Sequence, residues 1–370
     1  MDIISYIHPS RTFLPCSGVG RHINNIVGHL NKSDIVQLKL FYGAEWLEQD
    51  KKLPDNAPLR DIPFKAFDLP ERLLERSWKA FNWPKIDSFL QDVDWVFAPM
   101  ETHIPTRKIK TAITLHDIQA FEKDLPWSKD PVHLKFQRRW KLWIDRAIKE
   151  ANIVFTVSEF SRRRLIELLD VPEHKVKISG NAVEKTFIDK VVTISPKKVD
   201  YPYIGVIGGL RPKKGGNELL LLAKKLQKTW PKLRLITWGE NDPVLLKKAN
   251  ELSNIKCLGM VSDEEMIAWL KGAHCSLFLS WYEGFGLPVL EAMACGVPVI
   301  SSNQASLPEV AGSGARMVSP NDLETIIEHI FDLKNNSTRT IQIEEGFKQV
   351  EKYSWKQAAE NVLNSFLKYD

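Results

Sequence analysis

One feature constrains this chain more than any other: short β-rich runs alternate with longer stretches of helical period, and they do so in two series. The first series reads "DIISYI", "QLKLFYG", "DWVFAP", "TAITLHD" and "NIVFTVS", and ends by about residue 180. The second reads "YIGVIGGL", "LRLITWG", "IKCLGMV", "CSLFLSW" and "VPVISS". Strand–helix–strand order of this kind builds parallel sheets flanked by helices, with ligands at the carboxyl ends of the strands. At 370 residues the chain is long enough for two such α/β units, each with its own core. Between the series, "FIDKVVTISPKKVDYPY" (187–203) has mixed charge, two prolines and weak periodicity, and reads as a linker. The expected division is therefore 1–190, 191–350, and a last segment 351–370. There Trp355, Ala358, Val362 and Phe366 form a helical apolar stripe that needs a partner surface.

Several function classes are excluded early. No run approaches the ~18 to 20 apolar residues of a membrane span. The start, "MDIISYIHPSRTF", is too polar for a secretory h-region and reads as a first strand. A formal charge of +5 is far from the dense basic stripe of a nucleic-acid binder. Cys16, Cys257, Cys275 and Cys295 show no CxxC spacing, so reduced thiols in a cytoplasmic protein are expected.

Each half carries a glycine-rich turn between strand and helix. In "CSGVGRHINNIVGHL", Gly18 and Gly20 precede a helix with apolar Ile23, Ile26, Val27 and Leu30. Tight-turn packing and ligand binding at a helix N-terminus both fit this loop. The third glycine of a dinucleotide fingerprint is absent. In "GVIGGLRPKKGGNELLLLAKKL", Gly208 and Gly209 end a strand, and Arg211, Lys213 and Lys214 precede a helix. Fixed cations there suit a diphosphate, although a solvated basic loop has the same composition.

The densest stretch is "SWYEGFGLPVLEAMACGVPVIS" (280–301). A buried strand leads into "YEGFG", Pro288 suits a first helical turn, and Gly296 closes the short helix that follows. Gly284 and Gly286 bring backbone N–H groups to the helix start. Glu291, inside the apolar run, carries a carboxylate able to accept two hydrogen bonds from a vicinal diol such as a ribose. Glu283 can do the same for sugar hydroxyls.

"EGFGLPVLEAMACGVPVI" resembles the E-x7-E segment of the family-four retaining glycosyltransferases. "GVGRH", "ITLHD", "TVSEFSRRRLIELLDVPEHKVKISGNAVEKTF", "LGMVSDEEM" and "SLPEVAGSGARMVSPND" resemble further segments, so the likeness covers most of the chain. It implies the glycosyltransferase-B fold: two Rossmann-like domains facing across a cleft, the first binding acceptor and the second binding donor, with the last helix crossing back. By the same resemblance, Glu291 would hold the donor ribose. Glu283 with the backbone of Gly284, Phe285, Gly286 and Leu287 would hold sugar and phosphates. Lys214 would neutralise the leaving diphosphate, His116 would reach the sugar, Gly18 and Gly20 would shape the acceptor-side loop, and backbone near Val261 would meet the base. Two departures stand out. The family's common arginine after the strand glycine is Gly209, leaving Arg211 or Lys213 to substitute, and the usual Asn-Gly before Val is Asn181-Ala182.

The resemblance implies a retaining hexosyltransferase, with GDP-mannose suggested by the wording of "TLHD" and "GFGLPVLEAMACG", acting in polysaccharide or glycoconjugate assembly. No DxD-type acidic pair stands where a metal is expected, and no cofactor is called for beyond the nucleotide-sugar co-substrate. The acceptor would be a glycan or lipid-linked glycan. Alternatives are a catalytically silent nucleotide-sugar sensor of the same fold, or a phosphorylase. "PERLLERSWKAFNWPK" and "HLKFQRRWKLWIDRAIKE" interleave Trp, Phe, Lys and Arg. They read either as a peripheral membrane face or as core aromatics with a solvated charged side.

Overall fold

The computed structural model describes residues 1–8, 12, 17–47, 53–55, 57–90 and 92–369. Cys16 lies outside them. The chain divides into two compact units, Met1–Asn181 with Trp355–Asp370, and Ala182–Ser354.

In unit 1 the strands are β1 (Asp2–Tyr6), β2 (Gln37–Gly43), β3 (Phe64–Phe67), β4 (Trp95–Ala98), β5 (Lys110–Thr114), β6 (Ile153–Thr156) and β7 (Val176–Ile178). They form one parallel sheet in the order β3-β2-β1-β4-β5-β6-β7. The central strands are buried on both faces, as in a parallel sheet with helices on both sides. Those helices include α1 (Gly18–Leu30), α2 (Glu71–Phe81), α3 (Pro131–Glu150) and α4 (Glu159–Leu169). Helix α1 buries Ile23, Ile26, Val27 and Leu30, the stripe its sequence predicts.

Unit 2 holds β8 (Tyr203–Ile207), β9 (Arg234–Trp238), β10 (Ile255–Cys257), β11 (Cys275–Phe278), β12 (Val299–Ser302) and β13 (Ala315–Val318). Their order is β10-β9-β8-β11-β12-β13, again all parallel. Its helices are α5 (Lys185–Thr193), α6 (Gly216–Thr229), α7 (Pro243–Ala249), α8 (Asp263–Gly272), α9 (Leu287–Ala294), α10 (Leu307–Ala311), α11 (Leu323–Asp332) and α12 (Asn336–Glu351). Leu219, Leu222, Ala223 and Leu226 of α6 pack with Ile204, Val206, Leu235 and Leu277 of the sheet.

The segment 187–203, expected as a linker, is structured. Most of α5 falls in it, and the Lys271 ammonium donates to the Val191 and Ile194 carbonyls at 2.7 Å each. That satisfies carbonyls left open around a helix end. Lys197 N–H then bonds the Ala268 carbonyl at 2.8 Å, which docks the stretch on α8.

After α12 the chain returns to unit 1 as α13 (Trp355–Leu367). Its stripe of Trp355, Ala358, Val362 and Phe366 is buried. Phe366 packs against Trp95, Phe97 and Phe155, with ring centroids 4.8, 5.6 and 5.6 Å away.

Candidate active site

In each sheet the strand order reverses once, between β1 and β4 and between β8 and β11. Loops leaving such a point diverge to opposite faces and open a crevice at the strands' carboxyl ends.

In unit 2 the loop after β8 is locked by glycines. Gly208 and Gly209 have φ of 109° and 70°, and both N–H groups donate to the Trp238 carbonyl, at 3.0 and 2.8 Å. A Cβ at Gly209 would lie 2.0 Å from the Glu240 carbonyl oxygen. No side chain fits there, so the arginine expected at this position is excluded by backbone geometry. Gly208 leaves room for the Lys214 stem, whose Cδ lies 3.4 Å from where a Cβ would stand. Lys214 then reaches Glu283, which follows β11, and the two form an ion pair that is largely shielded from water. Burial alone would raise the Glu283 carboxyl. The Lys214 charge and hydrogen bond, helped by Lys213, outweigh it and hold the pKa below the usual range. Arg211 instead pairs with Glu240 at 2.9 Å. Of the two cations expected to substitute at Gly209, Lys213 is the one whose charge Glu283 feels.

The turn after Glu283 is equally fixed. The Ser306 hydroxyl sits 2.9 Å from the Glu283 carbonyl and 2.7 Å from that of Phe285. Phe285 meets Tyr353 edge-on at 5.4 Å. Gly286 takes φ 110° to start α9, and no side chain among the described residues caps that helix. Its first-turn N–H groups therefore face the loop, as an anion site requires. Glu291 is buried in α9, and its charge adds to burial in pushing the Cys295 thiol up to about 12. Val261 is half-buried beyond β10, two strands from β8.

In unit 1 the structure brings His116 together with residues that sequence reasoning missed. His116 follows β5, and Glu101, which follows β4, accepts hydrogen bonds from its backbone N–H and its Nδ1, both at 3.0 Å. Because a carboxylate only accepts, Nδ1 carries a proton, and in the neutral ring Nε2 is then the acceptor. His22 of α1 meets His116 edge-on, centroids 4.7 Å apart, and its Nδ1 lies 2.7 Å from Asn181 Oδ1. Both Nε2 atoms are buried, and neither has a hydrogen-bond partner among the described residues. Gly18 is exposed and Gly20 buried at the start of α1, where the Ser17 hydroxyl takes the Gly20 N–H at 3.3 Å. One of the N–H groups expected for an anion is thus already used. Glu101 was findable: it stands three residues past the end of β4, beside the reversal. His22 and Asn181 lie far apart in sequence, and no local pattern links them.

Among the described residues no group of three His, Cys, Asp or Glu is arranged to hold a metal. Cys257, Cys275 and Cys295 are free thiols.

Comparison with known proteins agrees with this architecture. Residues 16–187 match the family described as Glycosyltransferase Family 4, and 188–349 match that described as Glycosyl transferases group 1. "O-antigen chain mannosyltransferase B" of Escherichia coli is 29% identical over 99% of both chains. The crystal structure of a glycosyltransferase from Rickettsia africae superposes with a TM-score of 0.66 at 17% identity, over 100% of this chain and 99% of that one. That of WaaG, described as a glycosyltransferase involved in lipopolysaccharide biosynthesis, gives 0.70 at 12%, over 98% of each. The protein therefore belongs to the family 4 and group 1 glycosyltransferases, and its two parallel-sheet units are the Rossmann-like domains of the glycosyltransferase-B fold.

Proposed function

We propose that this glycosyltransferase moves a mannosyl group from GDP-mannose to a hydroxyl of a glycan or lipid-linked glycan, with retention and without a metal ion, in the assembly of a surface polysaccharide. Unit 2 would bind the donor and unit 1 the acceptor. The observation that carries the reading is the Lys214–Glu283 pair at the strand-order reversal, beside the uncapped start of α9. The full-length relative named as a mannosyltransferase supports the sugar.

The chemistry follows from charge. The bond between the anomeric carbon and the diphosphate oxygen breaks, and the acceptor oxygen bonds that carbon on the same face. The acceptor's proton passes to the departing phosphate oxygen. Negative charge grows on the diphosphate, where the Lys214 ammonium and the α9 N–H groups would stabilise it without rearranging. Glu283 keeps Lys214 placed before the donor arrives and then accepts from sugar hydroxyls. Glu291 would take the ribose diol, and backbone near Val261 the base. His116, through Nε2, would accept from a sugar hydroxyl.

A panel of nucleotide sugars, scored by thermal stabilisation and by transfer, tests this. GDP-mannose should stabilise, and Glu291→Gln should weaken its binding by about 1 to 3 kcal/mol. Stabilisation by a uridine sugar alone, or an unchanged donor Kd in the variant, would overturn the assignment.

A further inference from the structure

We propose that the face of unit 1 formed by α2, the turn after it and α3 docks on an anionic lipid bilayer. The proposal goes beyond the transferase reading and does not depend on it. The two aromatic-basic stretches could have been core with a solvated charged side, and the structure separates the two meanings residue by residue. Leu74 and Trp78 of α2 and Ile144, Ala147 and Ile148 of α3 are buried and satisfy the core. Other large apolar side chains of this face stay largely in solvent: Phe81 is 79% exposed, Trp83 63%, Phe136 56% and Leu142 79%.

The two helices form one surface. Arg146 Nη1 donates to the Lys79 carbonyl at 2.9 Å, Asn82 Nδ2 donates to Glu150 at 3.1 Å, and the Lys79 ammonium lies 3.8 Å from the Trp143 ring centroid. A groove of about 470 Å³ lies there, lined by Lys79, Phe136, Arg139, Trp140, Leu142 and Trp143. Helix α3 carries six Lys and Arg against two acids, and one of those acids, Glu150, is engaged by Asn82. Lys135, Arg138, Arg139 and Lys141 are exposed among the apolar side chains.

Cations interspersed with Phe, Trp and Leu match a surface that is anionic at the headgroups and apolar just beneath them. A water-soluble acidic partner would complement the charges and leave the apolar side chains in contact with polar groups. No described helix is long and apolar enough to cross a membrane, so α3 would lie on the bilayer.

The test is co-sedimentation of the full chain with vesicles of mixed phosphatidylglycerol and phosphatidylcholine, and with phosphatidylcholine alone. Binding is expected to the anionic vesicles only and to weaken with salt. Phe136→Ser with Leu142→Ser, Phe81→Ser with Trp83→Ser, and Arg138→Glu with Arg139→Glu should each weaken it on the order of tenfold. Melting temperature and transfer to a soluble acceptor should not change, since these side chains are exposed; a loss of transfer with binding intact would instead count against the site proposed above. Absence of binding by the full chain, or binding indifferent to all three variants, overturns the proposal. A dimer in vesicle-free light scattering that these substitutions abolish would assign the face to a second copy and overturn it equally.

Discussion

Glu101 accepts two hydrogen bonds from a single residue, His116, one from the backbone and one from the ring. The first fixes where the chain turns after β5, and the second fixes the tautomer and the plane of the imidazole. Glu101 is thus a positioning residue for His116. Glu101→Gln preserves shape but loses the charged acceptor, and its amide nitrogen can turn towards Nδ1. Transfer should fall by roughly 10- to 100-fold in kcat/KM, corresponding to about 1.5 to 3 kcal/mol. Glu101→Asp should recover part of it, and thermal stability should change little. Unaltered kinetics in the Gln variant would show that the imidazole is held by its packing against His22 alone.

His22 gives unit 1 a sensitivity to acid. Burial, and then the charge of neighbouring His116, pull its pKa down to about 3. Unfolded, the same ring protonates near its ordinary value of 6.5. Between those values the unfolded chain binds a proton that the folded chain does not, so stability falls as pH drops through that window. For one group the slope approaches ~1.4 kcal/mol per pH unit. Denaturant unfolding of His22→Gln, which keeps an amide to face Asn181, should show a shallower loss between pH 6 and pH 4 (about two units inside the window). Parallel curves for the two proteins would place the acid sensitivity elsewhere.

Most of the strands visible in the sequence are central ones, whose buried faces make them read as near-continuous apolar runs; β10, an edge strand, is visible as well. The three without a signal, β3, β7 and β13, are edge strands of the two sheets. Their sequences, "FKAF", "VKI" and "ARMV", are short and mix charge with apolar residues, as an edge tolerates. The loops after β8 and β11 were legible because glycines, a lysine and glutamates sit within a few residues of a strand end. The His22–His116–Glu101 cluster was not, since its members come from one helix and two strand ends and meet only when the sheet forms. The docked character of 187–203 was invisible for a related reason: its partners, Lys271 and Ala268, lie in a later helix.

Gly209 should resist substitution. With φ at 70° and the Glu240 carbonyl oxygen 2.0 Å from any Cβ, Gly209→Ala must move backbone as well as adopt an unfavourable conformation. The conformational part alone costs ~1 to 2 kcal/mol, and displacing the loop would shift Lys214 with it. Donor binding should weaken along with stability. An alanine variant as stable as the parent, with the same donor Kd, would mean that this loop is more pliable than its two hydrogen bonds to Trp238 suggest.

Metal dependence tests the electrostatic argument for the leaving group. If Lys214 and the α9 N–H groups carry the diphosphate charge, transfer persists in excess EDTA. Lys214→Met should then lower kcat/KM by roughly 100-fold or more, since it removes a preorganised charge at the developing anion. Activity that disappears with chelator and returns with Mg²⁺ or Mn²⁺ would defeat the proposal, whatever the lysine variant does.

The last prediction concerns Phe366, which joins the end of the chain to the core of unit 1. Its ring is 3% exposed and touches Trp95 and Phe97 of β4 and Phe155 of β6. Those contacts reach two strands from one side chain, so removing the ring leaves a cavity walled by a rigid sheet that cannot collapse to fill it. Phe366→Ala should cost about 3 to 5 kcal/mol, whereas Phe366→Leu, which fills most of the volume, should cost well under half as much. The loss should appear in unfolding of unit 1 and leave donor binding by unit 2 intact, because Lys214, Glu283 and Glu291 all lie within Ala182–Ser354. Calorimetry with and without nucleotide sugar separates the two. A variant that melts like the parent would show that α13 contributes little to unit 1 despite its buried stripe.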